Sequence, residues 1–382
     1  MKWCVILLAT AKVAAAYPQF QLSSGTAQCG QCHISPAGGG LLTAWGRDES
    51  GDSLSMTGGD GSFLHGAVEL PSWLAIGGDF RVAALANETG SSGGTELAAF
   101  PMQADVSARA IVASSVSVVG VLGVRGAVRS GAPDSPQTDP PAGNATSPSL
   151  RSYVVARELY AIWYAEDKGG PYARLGRFAA PYGLRLADHT AYVRRYLGYN
   201  LLEETLGIGG GWIGGGWELH ATAFAHDALQ DATREEKGAA LMFEAQPGDM
   251  LALGASARLG IGADDTRMQA GLHGKLWLEG ATLLLQGEID GVRQTFDAGG
   301  SRYQLAAYAG PVVIPTKGLY TGIAYEAFAE DLEVHSVLRQ AITAWVSLFP
   351  RAHWEVMLSA RGQRIGPDEH AIACMLQLHY TI

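Results

Sequence analysis

Two cysteines and a histidine near the start of the chain have the types and spacing needed to attach a porphyrin covalently. They stand in the run Cys29-Gly30-Gln31-Cys32-His33. Two thiols three residues apart can each add to one of the two vinyl groups of a single haem. The histidine that follows is then held under the iron, where its imidazole becomes the proximal ligand. The run therefore predicts one covalently bound haem c.

The same run resembles the attachment segment of c-type cytochromes, and this resemblance covers only a few dozen residues. It implies thioether bonds at Cys29 and Cys32 and iron ligation by His33. A reversible dithiol and half of a zinc site are the other interpretations. A second ligand pair at zinc spacing is missing, and the histidine directly follows the second cysteine, so haem is favoured.

The residues that follow offer further contacts to a flat ligand. Glycines 38–40 lack a Cβ and accept positive φ angles, which lets the chain pass close to a porphyrin. Trp45 could stack at the porphyrin edge, and Arg47 could pair with a propionate. An ordinary glycine-rich turn and a solvated arginine are equally consistent with these residues.

The distal iron ligand has several candidates. His65 has apolar neighbours and a following glycine that lets it approach the iron, so it is slightly favoured. Met56 is the alternative, because its loop resembles the methionine-bearing loop of single-haem cytochromes. Met102 lies further along the chain.

The first residues have the pattern of an export signal. Lys2 precedes the apolar run Val5–Leu8, and three alanines end at Ala16, so we expect residues 1–16 to be removed by cleavage before Tyr17. Export is consistent with haem c, which is attached after translocation in bacteria.

Cysteine positions and charge exclude other classes. Of the four cysteines, Cys4 lies in the leader, Cys29 and Cys32 are assigned to haem, and Cys374 is left alone, so no structural disulfide is expected. The formal net charge is −10, and no Lys/Arg-rich run is present. We therefore expect no nucleic-acid partner.

From Trp73 onward, polar and apolar residues alternate with period two. In the segment from Arg267 to Glu279, polar residues occupy most odd positions and apolar residues most even ones. Residues 352–363 and 372–382 repeat this pattern. About fifteen such segments are present, most of about ten residues or more, which is longer than the strands of soluble sheets. The pattern predicts strands with one apolar face.

These segments predict an all-β, antiparallel transmembrane barrel that faces outer-membrane lipid. No apolar run after the leader has the length of a membrane helix, so a membrane-spanning chain must close into a barrel. Bacterial single-chain barrels have an even strand number, so we expect about fourteen to sixteen strands. The last apolar row, ending at Ile382, resembles the insertion signal of bacterial outer-membrane proteins.

The connections and boundaries follow from the same pattern. Short turns are expected at Gln246–Asp249 and Phe349–Arg351, and a long polar loop at Ser130–Ser149. Short turns at one rim and long loops at the other are typical of outer-membrane barrels. We divide the chain into a signal peptide (1–16), a mostly irregular haem c-binding segment or plug (17–70) and the barrel (71–382).

Arginines and tyrosines cluster between two strands, in residues 173–200. This cluster predicts a selectivity constriction, a docking surface for the haem segment or both, and an internal charge network is an equally good interpretation. Arg177 together with Arg194 or Arg195 is the best candidate for a propionate partner.

Electron transfer at or across the outer membrane is the leading functional hypothesis. The combination is similar in concept to porin–cytochrome conduits, although the chain has a single attachment motif. An apolar band roughly 25 Å tall exceeds what one haem bridges by tunnelling, so periplasmic or extracellular cytochromes are expected partners. The alternative is a solute-diffusion porin whose haem segment acts as plug, gate or redox sensor. No hydrolytic or phosphate-binding motif is present, so an enzyme is not expected, although an open iron position would favour a peroxidase-like reaction.

Overall fold

The computed structural model describes residues 18–36, 38–89, 94–124, 154–166, 169–199, 203–225, 236–334, 338–366 and 369–382. The expected signal peptide and the polar loop Ser130–Ser149 lie outside the described residues. Within the described ranges, no helix has the length and apolar composition that a membrane crossing requires.

Sixteen antiparallel strands form one closed barrel in which each strand pairs with its neighbours in the chain and β1 pairs with β16. The strands are β1 Leu74–Thr89, β2 Thr95–Ala113, β3 Val116–Val124, β4 Val154–Glu166, β5 Gly169–Phe178, β6 Thr205–Gly214, β7 Trp217–Ala225, β8 Lys237–Gly248, β9 Leu251–Ile261, β10 Asp265–Leu278, β11 Leu283–Phe296, β12 Ser301–Thr316, β13 Leu319–Ala329, β14 Leu338–Arg351, β15 Trp354–Arg364 and β16 His370–Thr381. The predicted all-β barrel is confirmed, with the higher of the two expected strand numbers.

The alternation along each strand separates the lumen from the outer surface. In β10, His273 and Lys275 point inward and are buried, whereas Leu272 points outward and is 64% exposed. Strand β16 repeats this arrangement, with Gln377 buried and Leu376 exposed. The outer surface is thus apolar and the lumen polar, as expected for a barrel surrounded by lipid.

The connections divide the barrel into two rims. The turns at residues 215–216, 249–250, 317–318 and 352–353 lie at one end, the short-turn rim, together with the residues that precede β1. The end of β3 at Val124, the start of β4 at Val154 and the described residues between β5 and β6 (179–199 and 203–204) lie at the other end, the long-loop rim.

Both expected turns lie about two residues before their observed positions. Strand β8 continues through Pro247 to Gly248 and the chain turns at 249–250, and β14 continues through Pro350 to Arg351 and the chain turns at 352–353. The pairing of β14 with β15 shifts register between Leu348 and Arg351. A proline is tolerated at such an irregularity because its missing N–H is not needed by the ladder.

Strand β6 lacks inward side chains over much of its length. Its outward residues include Leu206 and Ile208, but Gly209 faces inward, where a Cβ would lie 3.2 Å from Cζ of Phe178 and 3.2 Å from Oγ1 of Thr222. Side chains of the neighbouring strands therefore cover the inner face of β6, and the sequence of β6 shows no polar row.

The N-terminal segment (residues 18–73) consists of short helices and irregular chain. Its helices are α1 Pro18–Gln21, α2 Cys29–Cys32 and α3 Ala44–Asp52, and 3-10 turns cover Leu22–Ser24 and Phe63–Gly66. Helix α3 begins after Thr43, whose side chain accepts a hydrogen bond from the backbone N–H of Gly46. The segment lies inside the barrel at the short-turn rim, where the backbone N–H of Met56 donates to the carbonyl of Phe349 over 2.8 Å.

The connection between β5 and β6 also enters the barrel, from the long-loop rim. This lumen loop (residues 179–204) contains α4 Tyr192–Arg195 and packs against the inner wall of β11–β14. Its backbone is fixed by the wall: the N–H of Leu184 donates to Glu288 and the N–H of Tyr192 donates to Glu326. A buried apolar cluster that includes Leu197 fills the contact.

An arginine on the outer surface should destabilise the barrel in proportion to its depth in the membrane. Leu272→Arg lies at the middle of β10 and should cost about 2–4 kcal/mol in folding free energy, whereas Leu278→Arg at the strand end should cost about 0–1 kcal/mol. Folding into lipid vesicles, followed by heat-modifiable migration on gels, measures both. Equal costs for the two variants would contradict the membrane placement.

Candidate haem-attachment site and barrel lumen

The two cysteines of the attachment run lie on a single helical turn. Helix α2 is Cys29–Cys32, and its backbone continues into His33, which is extended (φ −112°, ψ 149°) and donates its N–H to the carbonyl of Cys29 over 2.9 Å. Residues three apart on a helix lie on the same face. The turn therefore places both thiols on one side and the histidine at their edge.

A short hairpin fixes this turn. His33 pairs with Leu42, Ile34 donates to the carbonyl of Leu41, and the N–H of Thr43 donates to the carbonyl of Cys32. The backbone of Leu41–Thr43 thus holds the backbone of His33 in place.

Gly38 in this hairpin lets the backbone pass close to the thiol of Cys29 and the imidazole of His33. Its φ is +77°, and a Cβ would lie 3.2 Å from Sγ of Cys29 and 3.9 Å from Cδ2 of His33. Gly39 has a similar φ of +76°, but a Cβ there would have no atom within 4 Å. Only the first of these glycines is therefore required by contact as well as by backbone conformation.

Cys29 and Cys32 are free thiols in the interior. Burial raises the pKa of both thiols, that of Cys32 to about 12, with Cys29 and Glu49 adding to the increase. Both are therefore protonated at neutral pH. Within the described ranges, no group of three or more His, Cys, Asp or Glu side chains is placed to hold a metal ion alone.

Hydrogen bonds to the barrel wall hold the attachment turn inside the lumen. The N–H of Ala27 donates to Oε1 of Gln246 over 3.0 Å, and Nε2 of Gln28 donates to the carbonyl of Gly214 over 2.6 Å. On the other side of the turn, the hydroxyl of Tyr164 donates to the carbonyl of Ile34 over 3.0 Å. The turn is thus bound to strands from two sides.

An aromatic cluster provides a further contact between the N-terminal segment and the wall. The ring of Phe20 packs edge-on against Tyr320 and Phe349, with centroid distances of 4.6 and 5.8 Å. Phe20 is 1% exposed. Burial of such a side chain contributes about 1.5–3 kcal/mol.

One continuous cavity of about 380 Å³ lies inside the barrel, mainly along β1–β4 and β14–β16, and it also reaches Phe224, Arg258 and Glu288 on the other strands. It begins near Leu54 at the short-turn rim, passes Cys29 and His33, and reaches Arg194 of the lumen loop. Its volume is in the range of ordinary ligand pockets. The N-terminal segment and the lumen loop fill most of the remaining lumen.

The three candidate distal ligands lie in different places. His65 lies at the short-turn rim, with its ring 4.2 Å from that of His353 and its Nε2 3.3 Å from the hydroxyl of Tyr380. Met56 is at the same rim and 40% exposed. Met102 lines the cavity that Cys29 also lines. It lies at a register shift between β1 and β2, where a bulge turns a side chain toward a new direction.

Of the predicted porphyrin contacts of the N-terminal segment, glycines 38–40 line the cavity, whereas Trp45 and Arg47 do not. Arg47 donates from Nη1 to the carbonyl of Leu42 over 3.2 Å, which fixes the hairpin from its outer side. Trp45 is half-buried on α3.

Of the three arginines predicted as propionate partners, one lines the cavity. Arg194 does, whereas Arg177 donates to the carbonyl of Arg157 and pairs with Glu204, and Arg195 lies over the ring of Tyr196. The structure therefore brings Cys29, His33, glycines 38–40 and Arg194 to one cavity. It does not bring Arg47, Arg177, His65 or Met56 there.

Sequence reasoning named Arg185 only as a member of the arginine and tyrosine cluster, and it did not predict that two cations contact the N-terminal segment. Arg185 donates to the carbonyl of Pro36, and Lys275 donates to Gln21. Lys275 was visible only as one member of an inward polar row. Its partner lies 254 positions away in the chain, so no local pattern connects the two.

Comparisons with solved structures show the fold. The anion-selective porin from Comamonas acidovorans is similar with a TM-score of 0.59 at 9% identity, over 81% of this chain and 99% of that one. The outer membrane channel DcaP of Acinetobacter baumannii gives 0.56 at 10% identity, over 87% and 99%. Outer-membrane expressed OmpT of Vibrio cholerae gives 0.58 at 11%, over 82% and 100%. No protein-family model and no curated protein sequence matches the chain.

The barrel therefore has the porin-type fold, with a helical and irregular segment before it. At such low identities the similarity describes the architecture alone.

Substitution of Gly38 should loosen the attachment turn more than substitution of Gly39. Both alanine variants pay a positive-φ cost of about 1–2 kcal/mol, but only Gly38→Ala also crowds Cys29. In protein made without haem attachment, maleimide should modify Cys29 several-fold faster in Gly38→Ala than in Gly39→Ala. Equal rates would show that this glycine does not contact the thiol.

Proposed function

We propose that the chain is a porin-like protein of the bacterial outer membrane that carries one haem c and transfers electrons at or across that membrane, and that it is not an enzyme. The observation that carries the proposal is the enclosed Cys29–His33 turn beside Gly38, at the edge of the lumen cavity. The apolar outer surface of the barrel supports its placement in outer-membrane lipid.

The residues present fit a covalently bound haem. Cys29 and Cys32 are free thiols on one helical turn. The backbone at Gly38 passes close to Cys29 and His33, and Cys29 and His33 line the lumen cavity. Cys29 and Cys32 would hold the porphyrin through thioethers, and His33 would be the proximal iron ligand. When bound, haem supplies a one-electron redox centre.

The rest of the N-terminal segment shields this centre and places it near one membrane surface. Short turns face the periplasm in outer-membrane barrels. The segment docks at the short-turn rim, so the attachment turn lies near the periplasmic side and hydrogen bonds from Gln28 and Tyr164 hold it there. Periplasmic cytochromes are therefore the nearest electron partners. An extracellular cytochrome would be needed to continue across an apolar band roughly 25 Å tall.

A solute-diffusion porin is the second candidate, and the lumen cavity favours it. A passage of about 380 Å³ remains beside the N-terminal segment. In this case the haem segment acts as plug, gate or redox sensor, and the charged lining selects solutes.

Loss of either attachment cysteine should abolish the full c-type signal. Cys29→Ser and Cys32→Ser each remove one thioether, so covalent haem on a stained gel should fall and the reduced-minus-oxidised spectrum should change. Cys374→Ser is the matched control, because this third described cysteine is exposed on β16 and should leave haem unchanged. A wild-type protein without a c-type spectrum, made in cells able to mature cytochromes, would refute haem binding. A haem that no cytochrome reduces would refute electron transfer alone.

Bilayer conductance distinguishes the two candidates. The wild-type protein should pass little current, because the N-terminal segment and lumen loop fill the lumen. Phe20→Ala removes a buried aromatic contact worth about 3–5 kcal/mol and should produce frequent large openings. Val68→Ala, at a residue 43% exposed, should not. A large steady current through the wild type would favour the solute porin.

A further inference from the structure

Two buried ion pairs of the lumen lie beside the attachment turn. Arg185 of the lumen loop pairs with Glu218 of β7 over 3.0 Å, and Lys275 of β10 pairs with Glu244 of β8 over 2.9 Å. All four side chains are at least nine-tenths buried. These four residues are referred to as the charged socket.

Both cations of the charged socket also bind the N-terminal segment. Nζ of Lys275 donates to Oε1 of Gln21 over 2.6 Å, and Nε2 of Gln21 donates to Sγ of Cys29 over 3.2 Å. On the other side, Nη1 of Arg185 donates to the carbonyl of Pro36 over 3.1 Å. One cation thus reaches the first cysteine through a single side chain, and the other fixes the hairpin that follows the histidine.

The backbone conformation of Arg185 indicates that its side chain is needed at this position. Its backbone φ is +56°, a left-handed conformation that costs a non-glycine residue about 1–2 kcal/mol. The lumen loop accepts this conformation, and the guanidinium reaches the attachment turn. The charges of Arg185, Glu218, Lys275 and Glu244 all act on the thiol of Cys29.

We propose that the charged socket positions the attachment turn and sets the reduction potential of its haem, so that the potential depends on docking in the barrel. This inference rests on the proposed haem function. A porphyrin bonded to the sulfur of Cys29 is fixed at the point where these charges act. Charges in a water-poor interior act over longer distances than they do at a surface.

The sign of each charge determines its effect. Ferric haem carries one more positive charge than ferrous haem, so a nearby cation disfavours the oxidised form and raises the potential. A nearby carboxylate has the opposite effect. A residue that merely held the turn in place would give no such dependence on sign, because loosening the turn acts the same way for acids and bases.

Redox titration of neutralising variants of the full-length protein tests the proposal. Arg185→Gln and Lys275→Gln should lower the midpoint potential, and Glu218→Gln and Glu244→Gln should raise it. Arg361→Gln is the matched control. It breaks a buried pair with Glu326 that braces α4 rather than the N-terminal segment, and it should shift the potential least.

Paired and conservative variants keep the test valid where a lone buried charge prevents folding. The double variant Arg185→Gln/Glu218→Gln removes both charges and should return the potential toward the wild-type value. Lys275→Arg keeps the charge and should do the same. Shifts of one sign in all four single variants, or none, with an intact c-type spectrum, would overturn the charged socket and leave the proposed function standing. A wild-type protein without that spectrum would overturn both.

Discussion

The rest of the structure depends on the need to pair every polar group inside a closed barrel. Because the apolar residues of the strands face outward, the inward rows of the sixteen strands, which are polar in most of them, face one enclosed space. A buried charge without a partner is strongly destabilising. The N-terminal segment and the lumen loop supply many of the partners: Gln21 meets Lys275, and Arg185 meets Glu218. The same two segments therefore fill the lumen and stabilise the barrel.

The two insertions enter from opposite rims and meet at the attachment turn. The lumen loop packs on β11–β14, the N-terminal segment occupies the short-turn rim, and Arg185 connects them through the carbonyl of Pro36. The lumen cavity is the space that neither fills. This arrangement accounts for a porin-type fold whose lumen is narrowed from both ends. It also places a prospective redox group where the wall can act on it directly.

The sequence predicted the barrel well because alternation is a local property. The period-two rows of β10, β15 and β16 each show the inward and outward faces before any pairing is known. Strand β6 was harder, since Gly209 and its neighbours leave no polar row to recognise. The turns at Gln246–Asp249 and Phe349–Arg351 are both predicted about two residues early, because register shifts accommodate Pro247 within β8 and Pro350 within β14.

The run Cys29–His33 is local in the same sense, because the proposed haem chemistry lies within five consecutive residues. The contacts of the charged residues around this turn were not predicted from the sequence. Glu218 and Glu244 face each other across the neighbouring strands β7 and β8. Their cationic partners come from the lumen loop and from β10, and only the closed fold brings these partners to the N-terminal segment. Arg47 and Arg177 were chosen as propionate partners by proximity in sequence or composition, but both bind backbone carbonyls and neither lines the cavity.

The mass of the purified, folded barrel tests the central claim most directly. The account predicts one haem added to the processed chain through Cys29 and Cys32, and a chain mass without addition, from cells able to mature cytochromes, would contradict it.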